Sequence, residues 1–241
     1  MKKSVIVTGA GKGLGLEISK VLLKEGYKVI AISRSITEAS ESLSQKYPQD
    51  FSFYMFDFAK LKEISWLVKE IVKTHGRPYG LVNNAAIGND GVLGTMHEQD
   101  ISDIIRINIE APILMSKYVS RSMMLNKQGR IINIGSIIGS TGFNGLSVYG
   151  ASKAAMQGFS KSLARELGRA NITVNTLAPG YMQTNMTTGL QGNKLASIER
   201  RSPLGHLANV NDAANGVVYL LSEGARNVTG TSLTIDAGST A

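Results

Sequence analysis

The sequence predicts an α/β protein in which a mostly parallel sheet of seven strands is doubly wound, with helices on both faces. Short β-rich runs alternate with longer helical patterns along the whole chain, and most of the short runs are almost continuously apolar. Strands have this composition when helices cover both faces of a parallel sheet. The alternation itself predicts right-handed βαβ units. The predicted strands cover residues 4–8, 28–32, 51–56, 80–83, 130–135, 173–178 and 232–235.

Helical patterns fill the stretches between these strands. The predicted helices cover residues 14–25, 36–46, 61–74, 101–125, 147–168 and 211–221. The stretch 180–205 has neither pattern, because it is polar and carries Gly189 and Gly192 within four residues. Segments of this kind often close over a ligand. We therefore expect a mobile substrate loop over about residues 180–205.

The first residues are read as a strand and not as a targeting signal. Two lysines precede an apolar run, but that run stops at Thr8, which is too short for the apolar region of a signal peptide. The chain has no run of 18 apolar residues, so we expect no membrane span. With 241 residues, the chain fits one domain, since open α/β folds commonly reach about 250 residues as a single unit.

Composition excludes several kinds of site. The chain has no cysteine, which excludes disulfides, thiolate metal ligands and cysteine nucleophiles and fits a cytoplasmic protein. The three histidines lie far apart without ligand spacing, so no metal site is predicted. The net charge of +8 comes from scattered residues, which favours a mildly basic surface over a nucleic-acid face. A phosphorylated cofactor or an acidic carrier protein would also fit this charge.

A glycine-rich loop follows the first predicted strand and precedes the first predicted helix. Its sequence is Thr8-Gly9-Ala10-Gly11-Lys12-Gly13-Leu14-Gly15. Glycines at this junction let the chain turn tightly and let main-chain N–H groups approach a pyrophosphate at the helix N-terminus. Strand, loop and helix occur in the order that this mechanism requires. The sequence thus predicts a Rossmann-type dinucleotide site and not a plain turn.

The end of the second predicted strand indicates which dinucleotide binds. A carboxylate there would bind the ribose 2′-hydroxyl of NAD, whereas a cation accommodates the 2′-phosphate of NADP. The sequence has Ser33 and Arg34 at this point, and the first acid is Glu38. A guanidinium can hold a phosphate through two parallel hydrogen bonds. NADP(H) is therefore favoured, the alternative being that Arg34 is only a surface charge.

Tyr149 and Lys153 are candidates for acid–base chemistry. On a helix, residues four apart share a face, so the two side chains would lie close together. A positive charge about 5 Å away, at an effective dielectric near 20, is worth roughly 3 kcal/mol. We expect Lys153 to lower the pKa of the Tyr149 phenol toward neutrality, where proton transfer is efficient. Ser136 follows a predicted strand, at the edge where open α/β sheets bind ligands, and could hold a substrate oxygen.

These motifs together resemble the short-chain dehydrogenase/reductase family over essentially the whole chain. Gly9, Gly13 and Gly15 match its TGxxxGxG loop, and the Tyr149-to-Lys153 segment matches YxxxK. The remaining matches are Asn83-Asn84-Ala85-Ala86, similar to the family's NNAG with alanine in place of the last glycine, Asn108 within Arg106-Ile107-Asn108, Ser136 after the fifth strand, and Pro179-Gly180 after the sixth.

The resemblance implies roles for these residues. Asn108, Ser136, Tyr149 and Lys153 would be catalytic, with Asn108 linked to Lys153 through water in a proton relay. Asp57 would bind the adenine amino group, although capping of a helix start is an alternative. The implied cofactor-binding residues are Gly9, Gly11, Lys12, Gly13, Leu14, Gly15, Ser33, Arg34, Asp57, Phe58, Asn84, Ala85, Ala86, Tyr149, Lys153, Pro179, Gly180, Met182 and Thr184.

The resemblance also implies an organisation. A single domain over residues 1–241 would have its cofactor-binding part over about 1–135 and its catalytic and substrate part over about 136–241. The helix over residues 108–125 and the one that carries Tyr149 form subunit interfaces in the family, which implies a homotetramer or a homodimer. Lys12 corresponds to the basic loop residue of members that prefer NADP.

The segments around Ser136, 158–166, 172–175 and 179–184 are similar to 3-oxoacyl-[acyl-carrier-protein] reductases. This branch implies NADPH-dependent reduction of an acyl-thioester ketone, with Lys127, Arg130 and Arg169 as candidate docking cations for an acidic carrier protein. Two alternatives stay open: a reductase or dehydrogenase of a sugar, polyol or other small carbonyl compound, and a binding protein that senses NADP. No nucleic-acid or membrane partner is expected.

Overall fold

The structure, a computed structural model, describes residues 2–182 and 199–241. Seven strands form one sheet in the order β3-β2-β1-β4-β5-β6-β7, and every neighbouring pair is parallel. The strands are β1 (Ser4–Thr8), β2 (Lys28–Ser33), β3 (Phe51–Met55), β4 (Gly80–Asn83), β5 (Gly129–Ile134), β6 (Ile172–Pro179) and β7 (Ser232–Ile235). The predicted α/β class and strand number are confirmed, and the strand bounds agree to within one residue.

The helices of the described residues are α1 (Gly13–Lys24), α2 (Glu38–Lys46), α3 (Ile64–His75), α4 (Glu98–Ile105), α5 (Ala111–Asn126), α6 (Ile138–Thr141), α7 (Ser147–Leu167) and α8 (Val210–Leu221). The prediction of one helix over 101–125 is wrong, because a π-helical turn over Arg106–Glu110 separates α4 from α5. The four-residue helix α6 was not predicted, since it is too short to show helical periodicity.

Helices cover both faces of the sheet, as predicted. Val5 and Val7 of β1 pack on one face against α1 and α8, whereas Ile6, between them, packs on the other face against α3, α5 and α7. Alternate residues of a strand point to opposite faces, so one strand supplies both apolar cores. This explains why the strand sequences are almost continuously apolar.

The strand order reverses between β1 and β4. The chain places β2 and β3 on one side of β1 and then returns to place β4 on its other side. The carboxyl ends of β1 and β4 therefore diverge into loops at a topological switch point, where open α/β sheets bind ligands.

Part of the predicted substrate loop over 180–205 lies outside the described residues, and so does the predicted cofactor residue Thr184. The single domain over 1–241 and its division near residue 135 stay predictions. No helix among the described residues is long and apolar enough to cross a membrane.

Candidate active site

Thr8 joins the two strands at the switch point. Its Oγ1 accepts hydrogen bonds from the main-chain N–H groups of Asn84 and Ala85, both at 2.9 Å. The side-chain amide of Asn84 donates in return to the Thr8 carbonyl, also at 2.9 Å. These contacts fix the NNAA segment beside the glycine loop. The sequence shows Thr8 as the first residue of the loop motif, but the role of its side chain depends on the neighbouring strand β4 and is visible only in the structure.

The glycine loop has the conformation that a pyrophosphate site requires. Gly9 and Gly13 have φ angles of +67° and +54°, which favour glycine. A Cβ atom on Gly15 would collide with the Gly9 carbonyl oxygen, whereas one on Gly13 would meet nothing within 4 Å. Helix α1 begins at Gly13 with no side-chain cap and no acid in its first turn. Its N-terminal N–H groups are thus available to an anion.

A cleft of about 990 Å³ runs along the carboxyl edge of the sheet. Of the predicted cofactor residues, Gly11 does not line it and packs instead under Ser33, and Thr184 is outside the described part of the chain. The predicted residues that line the cleft are Gly9, Lys12, Gly13, Leu14, Gly15, Ser33, Arg34, Asp57, Phe58, Asn84, Ala85, Ala86, Ser136, Tyr149, Lys153, Pro179, Gly180 and Met182. The cleft therefore joins the predicted cofactor end to the predicted chemical end.

Two cations stand at the cofactor end of the cleft. Lys12 and Arg34 are exposed, and neither forms an ion pair within the described part of the chain. Both line the cleft, beside Ser33. Asp57 also lines it, and its carboxylate accepts a hydrogen bond from the N–H of Ala59 at 3.0 Å. Asp57 thus stabilises the turn after β3, and the same residue forms part of the cleft wall.

Ser136, Tyr149 and Lys153 lie together at the other end of the cleft. The Ser136 hydroxyl lies near enough to Tyr149 to lower the pKa of its phenol, and the Ser136 Oγ accepts a hydrogen bond from the N–H of Ile138 at 3.2 Å. Lys153 Nζ lies 5.5 Å from the centroid of the Tyr149 ring and donates to the Ile134 carbonyl at 2.9 Å. The predicted catalytic pair and serine are therefore brought together by β5 and α7.

Burial dominates the acid–base properties of this pair. It raises the pKa of Tyr149 to about 12, against the lowering effect of the Ser136 hydrogen bond and with a further raising effect from the Asp90 charge. Burial also lowers the pKa of Lys153 to about 8. The prediction that Lys153 lowers the pKa of Tyr149 toward neutrality is wrong for the protein alone, because the cost of removing the phenolate from water outweighs the lowering effect of Ser136.

Comparison with known proteins identifies the family. The short chain dehydrogenase family profile matches residues 3–194. The chain belongs to the short-chain dehydrogenases. It is therefore an oxidoreductase that acts on carbonyl or alcohol groups.

Its relatives include two differently named reductases. The chain is 37% identical over 236 residues to the 3-oxoacyl-[acyl-carrier-protein] reductase FabG of Escherichia coli, covering 98% of this chain and 96% of the relative. It is also 37% identical over 238 residues to carbonyl reductase family member 4 of Xenopus tropicalis, covering 99% and 98%. A solved structure of ElxO with NADP bound superposes with a TM-score of 0.90 at 32% identity, covering 99% of both chains.

Helix α6, which was not predicted from the sequence, packs directly on the catalytic helix α7. A Cβ atom on Gly139 of α6 would lie 2.9 Å from the N of Ala154 and 3.0 Å from the carbonyl carbon of Lys153. On the facing helix, a Cβ on Gly150 would lie 3.2 Å from the Ile138 carbonyl oxygen. The two glycines let α6 contact the backbone of α7 directly, so that Ser136, just before α6, is held against Tyr149.

Asn108 lies in the π-helical turn and is 2% exposed. Its Oδ1 accepts from the N–H of Ile87, and its Nδ2 donates to the Ile87 carbonyl and to Ser152 Oγ, at 2.9, 2.8 and 3.1 Å. Ser152 precedes Lys153 and donates to the Tyr149 carbonyl at 2.7 Å. Asn108 therefore connects the loop after β4 to α7, and its predicted water link to Lys153 stays a prediction.

The candidate docking cations lie at the edge of the sheet opposite the cleft. Lys127 lies two residues before β5 and Arg169 three residues before β6, at the amino ends of those strands. Arg130 is wrong as a docking cation, because it is 1% exposed. Its guanidinium stacks on the ring of Tyr79 at 5.6 Å and donates to the Gly129 carbonyl at 3.0 Å.

Proposed function

We propose that this chain catalyses NADPH-dependent reduction of a 3-oxoacyl thioester, carried by an acyl carrier protein, to the 3-hydroxy product in the cytoplasm. One observation carries the proposal. One cleft joins Lys12 and Arg34, which form no ion pair within the described residues, to the hydroxyls of Ser136 and Tyr149. FabG relatives at 37% identity support the thioester substrate.

The cofactor end fits NADP(H). The N-terminus of α1 and the open face of Gly13 fit the pyrophosphate, and Lys12 and Arg34 fit the 2′-phosphate. Asp57 would bind the adenine amino group. When bound, the reduced nicotinamide supplies the hydride. ElxO structures with NADP and NADPH bound support this assignment.

Tyr149 and Ser136 would act on the substrate oxygen. Both hydroxyls can donate hydrogen bonds to a carbonyl placed at their end of the cleft, which stabilises the charge that develops on its oxygen. Because the pKa of Tyr149 is raised to about 12, the phenol stays protonated at neutral pH. It can then give its proton to the alkoxide, since an alcohol is a weaker acid than a phenol.

Lys153 would hold the charge on the site after that transfer. With its pKa lowered to about 8, the ammonium is still mostly protonated at pH 7. Its place next to the Tyr149 ring lets it stabilise the phenolate left by proton transfer. Asn108 would then complete a water-mediated relay that returns a proton to Lys153 and Tyr149.

The wall beside the chemical end favours an acyl substrate. Ile138, Phe143 and Leu146 line the cleft there, and Phe143 is 52% exposed. Apolar side chains match an acyl chain better than the hydroxyl groups of a sugar. Lys127 and Arg169 would dock the acidic carrier protein. Because they lie at the opposite sheet edge, we propose a homotetramer in which one subunit presents them near the cleft of another.

The test is a substrate screen. Acetoacetyl and longer 3-oxoacyl thioesters of acyl carrier protein are assayed with NADPH and with NADH, and Tyr149→Phe is the control for chemistry at this site. We expect turnover of the thioesters with a preference for NADPH. Reduction of small ketones but of no thioester would instead favour a general carbonyl reductase, the function that the name of the Xenopus relative indicates.

A further inference from the structure

Asp90 is a charged residue of the cleft that the proposed reaction does not use. It lines the cleft on the loop after β4, together with Ile87 and Gly88. Asp90 belongs to the chemical end, because the neighbouring Gly91 is hydrogen-bonded to Gly145, four residues before Tyr149. Its charge also raises the pKa of the Tyr149 phenol. In the described part of the chain, the other carboxylate lining the cleft is Asp57, at the cofactor end.

The loop that carries Asp90 is held on both sides. Asn89 donates from its side-chain amide to the Asp100 carboxylate at 2.9 Å. The N–H of Gly91 donates to the carbonyl of Gly145 at 2.9 Å, which joins this loop to the one after α6. The backbone of Asp90 is therefore fixed between two anchored neighbours, and its exposed side chain lies on the cleft wall.

No ion pair neutralises this carboxylate within residues 2–182 and 199–241. Of the cations that line the cleft, Lys12 and Arg34 stand at the cofactor end, and Lys153 Nζ is hydrogen-bonded to Ile134. Arg201 also lines the cleft and is exposed. A substrate at the chemical end thus meets a carboxylate that has no ion-pair partner among the described residues, in the part of the cleft lined by Phe143 and Leu146.

We propose that Asp90 is a specificity-determining residue that rejects free 3-oxo acids and admits their neutral esters and thioesters. The inference rests on the proposed function and adds to it a reason why the acyl group must be esterified. A free 3-oxo acid carries a carboxylate two carbons from the carbonyl that is reduced. That charge would enter the cleft together with the reacting group and would be repelled by Asp90.

The size of the effect follows from Coulomb's law. Two like charges on the order of 10 Å apart, at an effective dielectric of about 20, repel enough to change an equilibrium about tenfold. A neutral ester of the same acid experiences no such repulsion. Removing the Asp90 charge should therefore alter the selectivity between ester and acid, whatever it does to the absolute rates.

The experiment compares methyl acetoacetate with acetoacetate at pH 7 and low ionic strength, with NADPH. The two probes differ by one methyl group and one charge. We expect Asp90→Asn to lower the ratio of kcat/KM for the ester to kcat/KM for the acid about tenfold relative to the wild type. Added salt of about 0.5 M should shrink the difference, because it screens exposed charges.

The matched control is Glu98→Gln, which removes an exposed carboxylate that does not line the cleft. It should leave the selectivity ratio within about twofold of the wild type. The inference is overturned if Asp90→Asn also leaves that ratio within twofold. Failure of the wild type on every acetoacetyl thioester refutes the proposed function separately.

If neither probe is turned over, the same comparison is made by binding. Calorimetry of the two probes with NADPH-loaded Tyr149→Phe, with and without Asp90→Asn, gives the ratio of dissociation constants. A tenfold change in that ratio supports the role of Asp90, and an unchanged ratio or no binding of the ester overturns it.

Discussion

Lys153 Nζ donates a hydrogen bond of 2.9 Å to the main-chain carbonyl of Ile134, two residues before Ser136. The ammonium is 4% exposed, so this carbonyl is a large part of what replaces its water. One contact thus fixes the helix that carries Tyr149 against the strand that carries Ser136. It also holds a buried cation next to the reacting groups, and burial of that charge lowers the free energy of unfolding.

Replacing Lys153 with Met should stabilise the fold while abolishing reduction. Burial lowers the pKa of Lys153 to about 8 from 10.5, so below pH 8 the folded protein holds a charge that the unfolded chain solvates better. The variant also loses the hydrogen bond to the Ile134 carbonyl, which offsets part of this gain. We therefore expect the free energy of unfolding at pH 7 to rise by about 1–2 kcal/mol. Denaturant titration measures it.

The sign of this effect depends on pH. The penalty of the buried ammonium is complete below about pH 8 and vanishes as pH rises toward 10.5, where the unfolded lysine also loses its proton. The advantage of Lys153→Met should therefore shrink between those values. A variant that is less stable than the wild type at pH 7 would contradict the account.

Reduction should lose rate above about pH 8. Tyr149, with its pKa raised to about 12, stays protonated through this range, whereas Lys153 loses its charge. We expect kcat/KM for ketone reduction to fall about tenfold between pH 7 and pH 9, measured by NADPH absorbance. In Lys153→Arg, whose guanidinium stays charged, any residual activity should lack this fall. If Lys153→Arg still loses kcat/KM between pH 7 and pH 9, the pH dependence arises from a group other than Lys153.

Gly139→Ala should slow the reaction without weakening cofactor binding. The new methyl group would press on the backbone of Lys153 and Ala154, at about 3 Å. A misplacement of about 1 Å at reacting groups can cost about 100-fold in rate. Since the clash requires a smaller shift, we expect kcat to fall about tenfold while the KM for NADPH changes little. Gly158→Ala is the control, because its Cβ would meet nothing within 4 Å in the same helix α7. That change should add up to about 1 kcal/mol of stability and leave kcat unchanged.

Arg34→Ala should weaken NADPH selectively. Arg34 is exposed on the cleft and forms no ion pair within the described residues, so the phosphate is the partner that it would lose. A charge-assisted hydrogen bond contributes about 1.5–3 kcal/mol, which corresponds to a rise in the KM for NADPH of at least tenfold. The KM for NADH should change less than twofold. Arg226→Ala, at an exposed arginine outside the cleft, is the control. An equal rise for both cofactors would show that Arg34 does not read the phosphate.

Much of this site could be predicted from the sequence because its parts are local. The glycine loop and the spacing from Tyr149 to Lys153 each lie within one strand–helix junction or one helix, and apolar periodicity places those elements. Strand order then brings together residues that are far apart in sequence, as Thr8 and Asn84 illustrate.

The predictions that are wrong or missing concern properties that depend on three-dimensional packing. Burial sets the pKa of Tyr149, and sequence spacing gives only the distance to Lys153. Arginine is usually exposed, but in this fold the ring of Tyr79 covers the guanidinium of Arg130. Helix α6 is one turn long, so that only the contact of Gly139 with α7 reveals its importance.

The π-helical turn over Arg106–Glu110 has a consequence for how this chain can vary in length. Bonding from i to i+5 takes up one more residue than an α-helical turn, and each residue turns an α-helix by about 100°. Deleting one residue here would rotate the two ends of the turn relative to each other. The chain could then keep the hydrogen bonds between Asn108 and Ile87, or the core positions of Met115 and Val119, but not both. The number of residues between the polar contact and the apolar face is therefore fixed, and insertions or deletions should be tolerated elsewhere on the surface before they are tolerated in this turn.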